Sequence, residues 1–430
     1  MSDQLNELPK FDAYYEDCSK DFWVRDNRGQ FMRVGELALR RMLKATGFRP
    51  RARKNERVSE VDQGLLDAQL DNRIFYAGPL AGYNTGVYEI EGRLILVTDS
   101  PKLIEPVEGS FPLISHILVE MLDREEHQSS FLLGWLRNAL ENLRSGRRAP
   151  GQALVIAGER ECGKSLCQQI ITELLGGRSA RPYQFMTGST SFNSELFAAE
   201  HLMIEDESAS TTLQARRNFG GFLKQIAANN KQRHHAKNRN ALTLDPFWRL
   251  SITVNDEPEN LLVLPPLDES LRDKIILLRA QKRPMPMPTS TPMEKAAFWQ
   301  AIKRELPAFV HCLLSYEVPA ELASARYGVT HFHHPDILCA IEELAPETML
   351  CDLIELHLFP FPEDTEYVGT ARDIEKQLRK DTSDREIDKL LTFRTACGTY
   401  LARLMKKMPE RISYHRSHGS SKIWRITRGD

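Results

Sequence analysis

Apolar and polar positions along the chain change rhythm several times. Near the start, FWVRDNRGQFMRV sets aromatic and β-branched residues on both sides of a DNRG turn, the pattern of a hairpin. VGELALRRMLKATG follows with apolar residues at helical spacing and Gly47 at its end, which predicts an amphipathic helix. GVYEIEGRLILVTDSP predicts two strands around Glu91 and Gly92. Together these point to an α+β accessory domain over residues 1–112, with no catalytic constellation in it.

Residues 113–150 carry apolar positions at helical spacing, in ISHILVEMLDREE and SSFLLGWLRNALENLRSG, and predict a helical lead-in. After the turn signal APGQ comes ALVIA, a short continuous apolar run suited to a buried parallel strand. From 151 to 285 strand and helix patterns alternate, as they do in an α/β domain. Prolines 284, 286, 288 and 292 make RPMPMPTSTP an extended connector. Residues 293–360 read as helical, through MEKAAFWQAIKREL and PAFVHCLLSYEV. Residues 361–430 read as helix, helix, then two strands around HGSS, the order of a winged-helix-like domain.

Composition narrows the class. The chain has 430 residues, 41% hydrophobic and 27% charged, which excludes a disordered chain. Lys and Arg (57) nearly balance Asp and Glu (59), so any affinity for nucleic acid must come from local charge. No apolar run approaches the ~20 residues of a membrane helix. MSDQLNELPK carries neither a secretory nor a transit pattern, so the expectation is a cytoplasmic chain with no membrane segment. The seven cysteines are odd in number and scattered, with no CxxC pair, which excludes a zinc ribbon and predicts reduced thiols.

The sharpest chemical signal is GERECGKS, Gly158 to Ser165, which fits G-x-x-x-x-G-K-[ST] without departure. ALVIA supplies the strand before it, and SLCQQIITELLGG the helix after it. In such a loop, Gly158 and Gly163 let the backbone curl so that successive N–H groups point at phosphate oxygens, backed by the positive end of the helix dipole. The cradle runs through Glu159, Arg160, Glu161 and Cys162 to Leu166. Lys164 places a point charge on the β/γ-phosphates, and the Ser165 hydroxyl serves Mg²⁺. The motif predicts a site for a nucleoside triphosphate.

A second site for metal and water is expected where HLMIEDE ends an apolar strand in three carboxylates. Asp206 is assigned to the magnesium shell and Glu207 to polarising the attacking water. Glu205 is the alternative in either role, because strand register decides which acids face the nucleotide. A third strand, WRLSITVND, ends in Asn255, whose amide suits a water-positioning sensor beside the γ-phosphate.

Between these two strands, Thr211–Leu250 carries eight basic residues against one acid. NNKQRHHAKNRNALTL has no helical apolar stripe, so it reads as an exposed hairpin or loop that can follow a phosphodiester backbone, with histidine offering a stacking face. The tail, Cys397–Asp430, carries eight basic residues and two acids. GTYLARLMKKM would be its recognition-type helix and RISYHRSHGSSKIWRI its wing. Such a module binds duplex DNA or protein.

GERECGKS, HLMIEDE, KQRHHAKNR and WRLSITVND, in that order, resemble motifs A, B, B′ and C of superfamily 3 helicases, and most closely the helicase part of phage- and plasmid-type primase-helicases. The resemblance covers residues 151–285. It implies an AAA+ type ATPase core, a hexameric ring with ATP bound between subunits, and single-stranded DNA as partner. It also implies roles: Lys164 and Ser165 on phosphates and metal, Asp206 and Glu207 as Walker B acids, and Asn255 as sensor 1. Lys231, Arg233, His235, Lys237 and Arg239 would line the central channel. LDESLRDKIILL offers Arg272 as the arginine that reaches a neighbour's ATP, with Lys274 the other candidate; a structural salt bridge to Asp268 or Asp273 is the competing role. No D-x-D carboxylate cluster stands upstream, so priming would fall to a separate primase or other replication protein.

The expected activity is thus an ATP-dependent DNA helicase translocating on single-stranded DNA during replication of a phage, prophage or plasmid. The alternative is a P-loop ATPase acting as a regulatory or protein-remodelling switch. HFHHPDILC fits no zinc spacing and reads as local structure. Cys162 and Cys167 flank the P-loop lysine and read as packing residues, although a helix N-terminus can lower a thiol pKa.

Overall fold

The computed structural model describes residues 12–122, 127–205, 213–234, 242–265, 267–361, 363–381, 387–388, 390–418 and 421–429. Six strands open the chain: β1 (Ala13–Glu16), β2 (Asp21–Arg25), β3 (Phe31–Val34), β4 (Arg73–Gly78), β5 (Gly86–Ile90) and β6 (Arg93–Val97). They form one mixed sheet in the order β3-β2-β1-β4-β6-β5. The β2–β3 hairpin turns at Asp26–Gly29, and β5–β6 turns at Glu91 and Gly92, both at positive φ. Helices Glu36–Ala45 and Glu60–Leu70 bury Leu39, Leu43, Val61 and Leu65 against Phe22 and Val24. Gly47, at φ +103°, closes the first helix as the sequence predicts. Next to the other edge, Ile95 and Val97 of β6 join Leu80 and Tyr83 in the core of the next domain.

That domain is built on five parallel strands: β7 (Ala153–Gly158), β8 (Ser179–Ala180), β9 (His201–Glu205), β12 (Arg249–Asn255) and β13 (Ile275–Ala280). Between β9 and β12 lie helix Leu213–Ala228 and a two-stranded ribbon, β10 (Gln232–His234) and β11 (Leu242–Leu244). The parallel order is β13-β7-β12-β9-β8. Apolar residues run from Ala153 to Ala157 in β7 and from Ile275 to Leu278 in β13 because both faces are covered, as a parallel α/β sheet requires. Val155, Ile252 and Leu277 point into one core with Phe219 and Leu223 of helix Leu213–Ala228. Leu154, Ile156, Ile276 and Leu278 point into the other. There they meet Ile170 and Ile171 of helix Lys164–Leu174, Trp135 of helix Gln128–Arg144, and Phe309 of helix Pro292–Ser315.

The connector after β13 holds neither helix nor strand through Thr291, where Thr291 and Glu294 make a reciprocal capping box for the next helix. That helix is continuous through Pro307. At the C-terminal end, strand Glu366–Thr370 precedes helix Ala371–Asp381, helix Ala396–Lys407 and the hairpin Ile412–His418 with Ser421–Thr427. The leading strand pairs with the hairpin, an element the sequence pattern did not announce. Leu350, Ile354 and Leu358 of helix Pro346–Leu358 complete this module's core around Tyr400, Leu401 and Trp424. Among the described residues, no helix is long and apolar enough to cross a membrane.

Candidate nucleotide site

The loop GERECGKS links β7 to helix Lys164–Leu174. Gly163 caps that helix at φ +100° and offers no capping side chain, and Glu161 is also left-handed at φ +59°. A loop of this shape turns backbone N–H groups toward one point, at the positive end of the helix dipole, and its first-turn donors lack side-chain acceptors. These features fit a phosphate-bearing ligand. Gly158 serves a different need from the curl expected of it: a Cβ there would collide with the Ala280 carbonyl on β13. A glycine there lets β7 and β13 approach this closely.

Lys164 is buried, and among the described residues the acceptors its ammonium meets are all uncharged. It donates to the carbonyls of Gly158 (2.8 Å) and Glu159 (2.7 Å) and to Asn255 Oδ1 (3.1 Å). The sulfur of Cys162 lies 3.6 Å away. Two exposed members of the loop are tied sideways: Glu161 meets Lys282 at 3.2 Å, and Arg160 meets Glu257 at 3.8 Å.

Asn255 reaches Lys164 because β12 alternates. Leu250, Ile252 and Val254 enter the apolar core, while Ser251, Thr253 and Asn255 face the helix that carries the P-loop. Gln168, one turn after Lys164, is fully buried and donates to Ser251 Oγ (2.8 Å) and to the Ile204 carbonyl (3.1 Å). It also accepts from Thr253 Oγ1 (3.2 Å). His201 extends the chain of contacts, with Nε2 2.7 Å from Ser251 Oγ and Nδ1 2.7 Å from Thr172 Oγ1. Complete burial pushes its pKa down to about 3, so the ring is neutral. Sequence reasoning missed Gln168, Ser251, Thr253 and His201. The available signal was the S-x-T-x-N alternation in WRLSITVND, with a glutamine four residues after the P-loop lysine.

Glu205 pairs in register with Thr253 and binds Arg181 at 3.2 Å. Asp206 and Glu207 lie outside the described residues, as do His235, Lys237 and Arg239. The base of the basic hairpin is described. Gln232 and His234 are buried, His234 edge-on to Phe197 (4.9 Å) and Tyr76 (5.5 Å). His234 therefore offers no free stacking face, whereas Lys231 and Arg233 are exposed. Asn193 fixes the ribbon by donating to the Arg233 carbonyl (2.9 Å).

Arg272 is exposed and paired with Glu342 at 3.2 Å, rather than with Asp268 or Asp273. Lys274 takes Asp273 (2.6 Å), and Lys224 takes Asp268 (3.3 Å). HFHHPDILC runs beside β13: Leu277 donates to the Phe332 carbonyl and accepts from the His334 N–H. Among the described residues, no His/Cys/Asp/Glu group is arranged to hold a metal. All seven cysteines are free, and burial pushes the Cys167 thiol up to about 12 rather than down.

No family model matches the sequence, and neither does any curated protein. Solved structures do. The apo C-terminal region of NrS-1 is 12% identical, with a TM-score of 0.55 over 97% of each chain. A second apo structure of that region, residues 305–718, gives 0.55 over 97% of this chain and 96% of that one, again at 12% identity. The fold is that of the NrS-1 C-terminal region. A chain described as the active helicase SCCmec type IV Cch is 10% identical and covers 95% of this chain and 76% of its own, at a TM-score of 0.30.

Proposed function

We propose that the chain is an ATP-dependent DNA helicase of the superfamily 3 type: an AAA+ ATPase that acts as a hexameric ring on single-stranded DNA, in replication of a phage, prophage or plasmid. The observation that carries this reading is the position of Lys164. Its ammonium is held at the mouth of an uncapped helix by neutral acceptors and the Asn255 amide, poised to exchange them for phosphate oxygens.

In this reading, the N–H groups from Glu159 to Leu166 cradle the phosphates and Lys164 neutralises the β/γ oxygens. Asn255, held by its contact with Lys164, orients the attacking water. Ser165 and Asp206 would hold Mg²⁺, which spreads the charge that develops on the phosphoryl group. Glu207 polarises the water, with Glu205 the alternative. Arg272 lies at the far end of the sheet from the P-loop: β13 runs parallel to β7 from Ile275 beside Ala153 to Ala280 beside Gly158. Five intervals of ~3.3 Å separate those ends, so Arg272 suits a neighbour's nucleotide rather than its own. Lys231, Arg233, His235, Lys237 and Arg239 would contact the strand in the ring's channel.

The test is ATP hydrolysis with and without single-stranded DNA, followed by strand displacement. Hydrolysis stimulated by DNA, lost in Lys164→Ala, and uncoupled from DNA by Lys231→Ala/Arg233→Ala/Lys237→Ala supports the proposal. Hydrolysis that is indifferent to DNA, in a chain that stays monomeric with ATP analogue and never opens a fork, would overturn it in favour of a regulatory or remodelling ATPase.

A further inference from the structure

A groove of about 730 Å³ opens between helix Leu213–Ala228, the loop ahead of Arg272, and helix Ala396–Lys407 of the C-terminal module. Seven cations and four carboxylates line it. Three of the carboxylates are engaged: Asp268 with Lys224, Glu342 with Arg272, and Glu347 with both Arg403 (3.2 Å) and Lys407 (3.5 Å). Arg216, Arg217 and Lys406 enter no ion pair among the described residues, and Glu269 alone faces them as a spare acid. Arg217 instead lies over the Phe393 ring at 4.7 Å.

Two donors in this groove are left over. Tyr400 is 1% exposed, and its hydroxyl has no hydrogen-bond partner among the described residues. Arg216 spends Nη2 on the Leu264 carbonyl (3.1 Å), while its buried Nε has no partner among the described residues. Burial holds the Tyr400 hydroxyl in its protonated form, with Arg217, Arg403 and Arg216 around it. Buried donors without acceptors cost stability unless a ligand completes them. Among these cations, an anion would complete both donors at once.

The geometry also sets its length. Arg217 and Lys224 are two turns apart on one wall, and Tyr400 and Lys407 are two turns apart on the other. Each row spans about 10 Å. A row that long serves successive charges rather than one ion. Between Arg217 and Lys224, Gly221 leaves the helix surface bare, and a Cβ placed there meets nothing within 4 Å.

We propose that this groove binds the phosphate backbone of a nucleic-acid strand, a contact separate from the basic hairpin and made jointly by the central domain and the C-terminal module. The site needs no base edges, so it takes strands of any sequence.

Binding of fluorescein-labelled oligothymidylate to the full chain, measured by anisotropy without ATP across a salt series, tests this. Gly221→Glu puts a carboxylate into open space while favouring the helix. Arg217→Gln/Lys406→Gln removes two unpaired cations. Each is expected to weaken binding about tenfold at low salt, and the double variant to flatten the log–log salt slope by about 1.4, near 0.7 for each phosphate left without its cation. Wild-type affinity and slope in both would overturn the proposal. So would loss of pyrophosphate binding in these variants with oligonucleotide binding intact, which assigns the groove to a free phosphate compound. Because the measurement omits ATP, its outcome is independent of whether the chain hydrolyses nucleotide.

Discussion

Lys164 Nζ and Asn255 Oδ1 stand 3.1 Å apart, joining the loop after β7 to the C-terminal end of β12. Among the described residues, Asn255 is the polar side chain that faces the P-loop lysine from the neighbouring strand. In Asn255→Ala, kcat for ATP hydrolysis is expected to fall about 10²-fold, the usual effect of deleting one positioned polar group. Nucleotide affinity should stay within a few-fold of wild type, because the phosphate cradle remains. Fluorescent-nucleotide titration beside steady-state rates separates the two; an equal loss in both would mean that Asn255 only shapes the loop.

Arg272 and Lys164 lie at opposite ends of the sheet, so in the proposed ring Arg272 would serve another subunit's site. Arg272→Ala and Lys164→Ala should each lose ATPase activity, by about 10³-fold or more for an arginine finger. Mixing the two variants should restore part of it, since some interfaces then combine an intact P-loop with an intact Arg272. If mixtures stay as inactive as their components, Arg272 acts only as the structural partner of Glu342.

Gln168 satisfies two strands from within the P-loop helix. Gln168→Leu keeps the volume but, in a dry core, takes the acceptor of the Thr253 hydroxyl and a donor from the Ile204 carbonyl and from Ser251 Oγ, which keeps His201. A loss of roughly 1–3 kcal/mol in urea unfolding is expected. Gln168→Glu should be worse, because it buries a carboxylate beside a backbone carbonyl.

His201 makes stability depend on pH with a definite sign. Its folded pKa of about 3 lies below the unfolded value near 6.5, so the unfolded chain binds the proton first as pH falls. Its contribution is full above pH 6.5 and is lost on descending toward pH 3, at up to about 1.4 kcal/mol per pH unit. His201→Gln should flatten that part of the stability–pH curve. An unchanged slope between pH 6 and 4 would rule out this histidine as its source.

Gly158 is tested by a methyl group. In Gly158→Ala the added carbon meets the Ala280 carbonyl, which forces β7 and β13 apart at the mouth of the site. Destabilisation of about 1–3 kcal/mol is expected from overpacking, with nucleotide affinity falling alongside it. A variant as stable as wild type would return Gly158 to the role of loop flexibility alone.

Local pattern by itself determined the parallel core, the hairpins at the start and end of the chain, the helix closed at Gly47, and the loop bearing Lys164, because each is written in period, turn residues or a contiguous motif. Asn255 was legible as a strand terminus, but not as the acceptor of a particular lysine. Tertiary structure alone decided what β12 does with its alternate residues. Ser251 and Thr253 look like ordinary strand positions until the sheet order sets Gln168 over them. It likewise turned His234 into the core, gave Arg272 to Glu342, and brought Tyr400 across from a separate module to face Arg216 and Arg217. Periodicity fixes which side of an element a residue occupies. Which neighbour covers that side depends on long-range strand order and domain contact, and these follow from the packing of the whole chain.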